Sequence, residues 1–190
     1  MNPQITNLVV ILGMMQVSKR IPFEDPTWLN GIRGMYILSN VIILGLYLYV
    51  GSLIKKKNDH TTFKYLEPAA PMSGEEAKPV TTTVNEYDNS QLKAAFKGVL
   101  MGVGMMGVMH IYFHYTNPLL IQSIIPVKSA LESKLVQVYI FGKPAIGDLK
   151  RPWKSGGLMQ GMTGGDAAPA PNKKRIESAE KSGRGGVKDE

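Results

Sequence analysis

The chain of 190 residues contains no cysteine. That removes a disulfide framework, a thiolate metal site and a cysteine nucleophile together. There is no Asn-x-Ser/Thr acceptor for glycosylation. Nor is there a P-loop, a zinc-ligand pattern or a nucleophile elbow. Acidic residues are scarce where the chain is apolar and lie in the intervening polar stretches. The chain is therefore not expected to be an enzyme, and neither a metal nor a cofactor is expected. The start, "MNPQITNLVVILGMMQVSKR", lacks the marks of a cleaved leader: no basic residue precedes its apolar run and no small-x-small site follows it.

What is present is unevenly placed. Hydrophobic residues make up 44% of the chain, yet the mean hydropathy is −0.06, so the apolar residues are segregated. Residues 1–127 hold nearly all of them, and the remainder is polar and basic. Such segregation predicts an all-α membrane protein. It would have about three transmembrane or short membrane helices, a small β-hairpin-like polar loop and a disordered basic C-terminal tail. The membrane region covers 1–127, with segments at 5–18, 33–54 and 94–117, a short apolar piece at 119–125 and a polar loop at 55–93. Residues 128–154 form a short amphipathic or extended region, read as a short helix followed by a strand. Residues 155–190 are the flexible tail, rich in Gly, Pro, Ala and Lys and unable to bury a core by itself.

The clearest span is Met35–Ile54, twenty residues without a charge that end in Lys55-Lys56-Lys57. Asp25 or Thr27 is suited to cap its start. The first segment, thirteen apolar residues, reaches only about 20 Å as helix; it either spans a thinned bilayer or lies in the interface. "TTFKYLEP" and "KPVTTTVNEYD" read as the two arms of a hairpin, after which Asp88 or Ser90 starts the third segment. The run Leu119–Ile125 is too short to cross alone, and is either re-entrant, interfacial or a bent continuation of the third segment.

The third segment, "GVLMGVGMMGVMHIYFHYTNP", is soft and partly polar where an anchor would be leucine-rich. At about 100° per residue, Gly98, Gly102, Met105 and Met109 share a face with Met101 beside them, and His110 and His114 fall roughly opposite. Gly98 and Gly102 form a close-approach pair for helix packing. Methionines, unbranched and polarizable, adapt to varied apolar partners. With Met14, Met15 and Gln16 of the first segment they are candidates for holding changing hydrophobic segments. The histidine spacing permits a ligand pair, but nothing completes a set. Arg33, Asn40, Lys97, His110, His114 and Gln122 either line a polar groove or, for Arg33 and Lys97, snorkel at helix ends.

The net charge is +7. Lys150, Arg151, Lys154, Lys173, Lys174 and Arg175 are suited to ribosomal RNA or anionic lipid. Three Lys/Arg lie in 19–34, seven in 55–97 and twelve beyond Pro126. With three spans, the first loop and the tail would share the positive, cytosolic side. The local lysine triplet argues the reverse.

Several blocks carry a resemblance: "MNPQ", "FEDPT", "KKNDHTTFKYLEP", "MSGE", "TNPLLIQSIIPVKSALE", "FGKPAIGDLKRPWK" and the tail "AEKSGRGGVKDE". In order and spacing the chain resembles the fungal SRP-independent targeting protein three family, a component of the SND pathway. That family is also called the inorganic phosphate transport membrane protein family. The resemblance implies a multi-pass protein of the endoplasmic reticulum membrane with a cytosolic tail. It implies delivery or insertion of client proteins alongside the Sec translocon and its associated subunits, the ribosome and the other SND components. It supplies no catalytic residue. Two alternatives remain beside an insertase-like role: a structural translocon adaptor without client contact, and a phosphate transporter.

Overall fold

The computed structural model describes residues 3–67 and 78–153. Their elements are α1 (Pro3–Ser18), α2 (Pro26–Lys57), β1 (Thr62–Glu67), β2 (Lys78–Thr83), α3 (Val84–Ile111), α4 (Asn117–Glu132), α5 (Lys134–Tyr139) and a single 3-10 turn, Gly147–Leu149. The expected basic tail lies outside the described residues.

The long helix α2 starts where its local chemistry says it should. The Asp25 carboxylate accepts the Thr27 N–H at 2.8 Å, and Pro26 occupies the first turn, where no donor is needed. It ends when Asn58 turns left-handed (φ 42°) and returns its N–H to the Ile54 carbonyl. Lys55, Lys56 and Lys57 sit on the last turn, against the negative end of the helix dipole. The helix thus overruns the expected 33–54 span at both ends.

The polar loop does form an antiparallel pair, with Thr62 opposite Thr83 and Tyr65 opposite Val80. Strand β2 runs straight into α3 through a capping box: the Thr83 hydroxyl accepts the Glu86 N–H at 3.2 Å, and the Glu86 carboxylate accepts the Thr83 N–H at 3.4 Å. So α3 starts at Val84, ahead of the expected Asp88 or Ser90, and Asp88 is free to point inward.

Four contacts fix α3 antiparallel to α2. The Asn85 amide reaches the Ile54 carbonyl (3.5 Å). A Cβ on Gly51 would lie 3.0 Å from Leu92 Cδ2. The rings of Tyr47 and Phe96 meet edge-to-face at 5.8 Å, and Arg33 bonds His110 at 3.0 Å. The register holds over the whole length of the pair.

The 119–125 piece is part of a longer helix, α4, which continues through Pro126 to Glu132. Pro126 brings no N–H to the Gln122 carbonyl, the usual cause of a local bend. Helix α4 runs parallel to α2. Leu119 and Leu120 pack with Ile32, the Ser39 hydroxyl bonds the Ser123 carbonyl at 2.6 Å, and Ala130 joins Ile43, Tyr47 and Val50. The expected strand in "LVQVYIF" is instead the short helix α5, capped by Ser133. Its Leu135, Val136 and Val138 are buried on the C-terminal half of α2, and that burial overrides their β-propensity.

Because α4 runs back along α2, Trp153, the last described residue, sits at the end of the bundle that carries the lysine triplet and the strand pair, packed with Tyr87 and Ile54, not at the end that holds residues 19–25. Two clusters form the interior. The larger, at the lysine end, is built on Val50, Ile54, Tyr87, Leu92, Val136 and Trp153. The smaller, at the opposite end, is Ile32, Met106, Leu119 and Leu120, with Met14, Phe23 and Tyr36 against it.

By length and composition α2 and α3 are apolar enough to cross a membrane. Only 28% of the most apolar stretch of α2 and 6% of that of α3 is buried, whereas the core helix of a water-soluble domain would be mostly covered. The apolar part of α1, Leu8–Ser18, is shorter.

Candidate functional site

The α2–α3 register sets the depth of each polar group. Since Phe96 faces Tyr47, Lys97 lies level with about Leu46, near the middle of the Met35–Ile54 run. At 1.5 Å per residue its backbone is about 12 Å inside the lysine end of that run. Lys97 is exposed and forms no ion pair among the described residues. The two apolar stretches are therefore out of step. That of α3 begins only at Gly98 and ends at the polar junction with Arg33, giving a layer of about 20 Å between Lys97 and His110.

The second polar feature closes the far end. Arg33 Nε donates to His110 Nε2 at 3.0 Å, and His110 Nδ1 lies 3.2 Å from the Tyr115 carbonyl. With Nε2 accepting, Nδ1 carries the proton and donates to Tyr115. Arg33 also reaches Asn30 Oδ1 at 3.3 Å. This bridge joins the start of α2, the end of α3 and the loop beyond it. His114 does not join it. Helix α3 stops at Ile111, and His114 adopts φ 56° in the loop. The expected shared face of His110 and His114 is therefore absent.

The remaining candidates fall in separate places. Met15 and Gln122 line a cleft of about 380 Å³ between α1 and α4, together with Ser18, Lys19, Asn117, Pro118 and Ile121. His114 lines an adjoining cleft of about 550 Å³ with Phe23, Met109 and Tyr115. Met14 packs inward on the smaller cluster, and Gln16 is exposed on α1. The Asn40 amide is used by its own helix, donating to the Tyr36 carbonyl at 2.8 Å. Met101 and Met105 are each 68% exposed. A Cβ at Gly98 or Gly102 would meet nothing within 4 Å, so no other described segment packs against either; the glycine that does meet a neighbour is Gly51. No single cleft among the described residues gathers all these groups.

Of the basic candidates, Lys150 is exposed, while Lys154, Lys173, Lys174 and Arg175 lie outside the described residues. Arg151 is not a free surface charge. Its guanidinium grips the fully buried Asp88 by two bonds, Nε to Oδ1 at 2.7 Å and a second to Oδ2. The Tyr139 hydroxyl donates to the same carboxylate at 2.6 Å. Burial pulls the Arg151 guanidinium down, but the hydrogen bonds and charge of Asp88 outweigh it and hold it above its ordinary value. Burial, then the Asp88 bond and charge, push the Tyr139 phenol well above its usual range. Beside this pair the Trp153 N–H donates to the Tyr87 hydroxyl at 2.7 Å. The ring of Tyr87 packs edge-on against Phe63, Tyr65 and Trp153. This cluster escaped the sequence reading, although Thr83-Val-Asn-Glu86 is the capping-box signature that places Asp88 in the second turn of α3.

Comparison with known proteins settles the lineage. The chain matches the phosphate transport (Pho88) family over residues 1–187. It belongs to that family. The chain is 50% identical to SRP-independent targeting protein 3 of Saccharomyces cerevisiae over the full length of both. It is 46% identical to an uncharacterized protein of Schizosaccharomyces pombe, across 90% of this chain and 83% of the other. It is 38% identical to the SRP-independent targeting protein 3 homolog of the same yeast, across 94% and 91%. No solved structure matches it.

Proposed function

We propose that the chain is a multi-pass protein of the endoplasmic reticulum membrane that takes part in SRP-independent targeting. In this reading it receives apolar client segments in an insertase-like manner, beside the translocon. The names of the relatives motivate the pathway. The single observation that carries the mechanism is the depth of Lys97. A charged residue at the centre of a bilayer costs about 3 kcal/mol on insertion scales. Such a residue is retained where water or a polar partner reaches it. Beside α3 the membrane need only be about 20 Å thick, against about 30 Å for an ordinary hydrocarbon core. A thinned layer lowers the barrier for a polar client flank, and Met101 and Met105 offer an adaptable apolar surface next to it.

An orientation follows from the same reading. Lys55, Lys56, Lys57 and Trp153, the last described residue, lie toward one end, and by sequence nineteen of the 22 Lys and Arg fall in 55–97 and after Pro126, against three at 19–34. The positive-inside tendency then makes the hairpin, the lysine triplet and the tail cytosolic together. The tail would approach the ribosome or anionic headgroups from there.

Photocrosslinking during synthesis of a membrane client on ribosomes tests this. Probes at Met101 and Met105 should capture the client, and a probe at the buried Met106 should capture only residues of this chain. Capture of resident membrane proteins alone from Met101 and Met105 would replace this reading with that of an adaptor. The family description favours one other reading, phosphate movement. Against it, His110 is committed on both ring nitrogens, to Arg33 and to the Tyr115 carbonyl. Phosphate uptake by liposomes holding the purified chain would revive it.

A further inference from the structure

Helix α3 turns two different faces. Leu92, Phe96, Val99 and Met106 pack on α2 and the interior clusters. At 100° per residue, Lys97, Met101, Gly104, Met105 and Val108 lie on the opposite side. Met101, Met105 and Val108 are 68%, 68% and 57% exposed, and a Cβ at Gly104 would meet nothing within 4 Å. The outward face is thus an apolar strip with one cation at its upper end.

Among the described residues that cation has no ion-pair partner. The acids nearest the α2–α3 pair are committed elsewhere: Asp88 to Arg151 and Tyr139, Glu86 to Thr82 and Thr83, Asp59 to Thr61. Snorkelling does not solve the problem. The side chain leans toward the start of α3, hence toward the lysine end, but reaches only about 6 Å, half of the roughly 12 Å that separate its backbone from the end of the apolar run. The ammonium stays below the headgroups of an undeformed bilayer.

Resting on the membrane reading above, we propose that this face docks a transmembrane helix of another protein that carries a carboxylate at the depth of Lys97. The carboxylate pairs with the ammonium. The apolar length of the incoming helix lies along Met101, Met105 and Val108, and Gly104 lets the two backbones approach. The client class selected by such a surface is a helix with an acidic residue about two-fifths of the way in from its cytosolic end, not a uniformly apolar one.

The test uses the full chain in liposomes of neutral lipid and designed leucine-rich transmembrane peptides, with association read by energy transfer. One peptide carries Asp level with Lys97, one Asn and one only Leu. The Asp peptide should associate about tenfold more tightly than the Leu peptide. Lys97→Met should erase that preference while leaving the melting temperature of this exposed site unchanged. Lys97→Asp with a Lys-bearing peptide should restore it. Equal association of the Asp and Leu peptides with the unmodified chain would overturn the proposal. So would loss of the preference when anionic lipid is added, since headgroups would then hold Lys97. A depth-quenching probe at residue 97 separates the failures. A probe within the hydrocarbon with no carboxylate preference sinks only the docking surface, a probe at the water level of a thinned layer sinks the docking surface and leaves the membrane reading standing, and probes along the whole of α3 at the water level sink the membrane reading as well.

Discussion

The two ends of the bundle are built differently. At the lysine end, α2, α3, α5, the hairpin and the segment ending at Trp153 converge on one cluster, tied by a buried ion pair and a set of edge-to-face aromatic rings. At the opposite end, four buried residues are surrounded by half-buried ones. There α1 leaves Ile5, Leu8, Val9 and Leu12 more than half exposed, and two clefts open beside the start of α4. The first end is a tightly packed base that fixes the position of Trp153. The second is held by one polar bridge and by contacts that leave room to move. A protein that must meet changing partners benefits from keeping these properties apart.

The largest expected effect is at the base. Asp88→Ala strands the Arg151 guanidinium and the Tyr139 hydroxyl, and removing one member of a buried pair costs about 3–5 kcal/mol. Thermal unfolding in detergent should show the loss. Replacing Asp88 and Arg151 together by apolar residues should recover much of it, because no lone charge remains. The base should also fail in alkali. Tyr139 has its folded pKa raised above the ordinary value of 10.0, so its contribution is complete below pH 10 and declines as pH rises beyond that. Tyr139→Phe should flatten this alkaline limb of the melting curve.

This base shows what the sequence could and could not reveal. The helices were legible because a twenty-residue uncharged run and its caps are local patterns. The hairpin was legible from β-branched arms. Asp88 and Arg151 are 63 positions apart, and no periodicity joins them; an arginine in "KRPWK" looks like any other basic tail residue. Whether Leu119–Ile125 ends a helix or belongs to one depends on Ser39 and Ala130 packing, which are long-range facts. Of the candidate site, the residue types were visible, but the depth of Lys97 required the pairing of α2 with α3.

The next effect should come from the smaller cluster. Met106 is fully buried, and Met→Ala at such a site costs about 2–5 kcal/mol. The adjoining clefts and half-buried neighbours let the region collapse, so the low end, about 2 kcal/mol, is expected. Proteolysis should then reveal local opening at residues 19–25 before the base unfolds. Simultaneous loss of both ends would show that the molecule is one cooperative unit and would erase the contrast drawn between them.

A smaller change is expected from the bridge. Arg33→Ala removes the bond to His110 but leaves no fully buried group unpaired, so the stability loss should be about 1 kcal/mol. His110→Gln keeps a side-chain acceptor and should retain part of it. The more telling readout is the distance between labels placed on Asn30 and Tyr112, which should lengthen or broaden in Arg33→Ala if the bridge is what holds the loose end closed.

The smallest effect is also the most discriminating, because it separates a glycine used inside the chain from one that is not. At Gly51 an added methyl would stand 3.0 Å from Leu92 Cδ2, closer than carbon atoms normally pack. Gly51→Ala must push Leu92 aside within the base, and a modest loss of stability is expected. At Gly102 the same methyl meets nothing within 4 Å, and alanine favours helix over glycine by about 0.8–1.0 kcal/mol in an aqueous host. Gly102→Ala should therefore leave the isolated chain unchanged or slightly more stable by thermal melting. If the neighbouring Met101 and Met105 surface receives a client helix, the added methyl should reduce client crosslinking at the same time. A variant that is more stable yet captures less client would locate function on α3 apart from its folding. One that captures as before would confine the receiving surface to the strip led by Lys97.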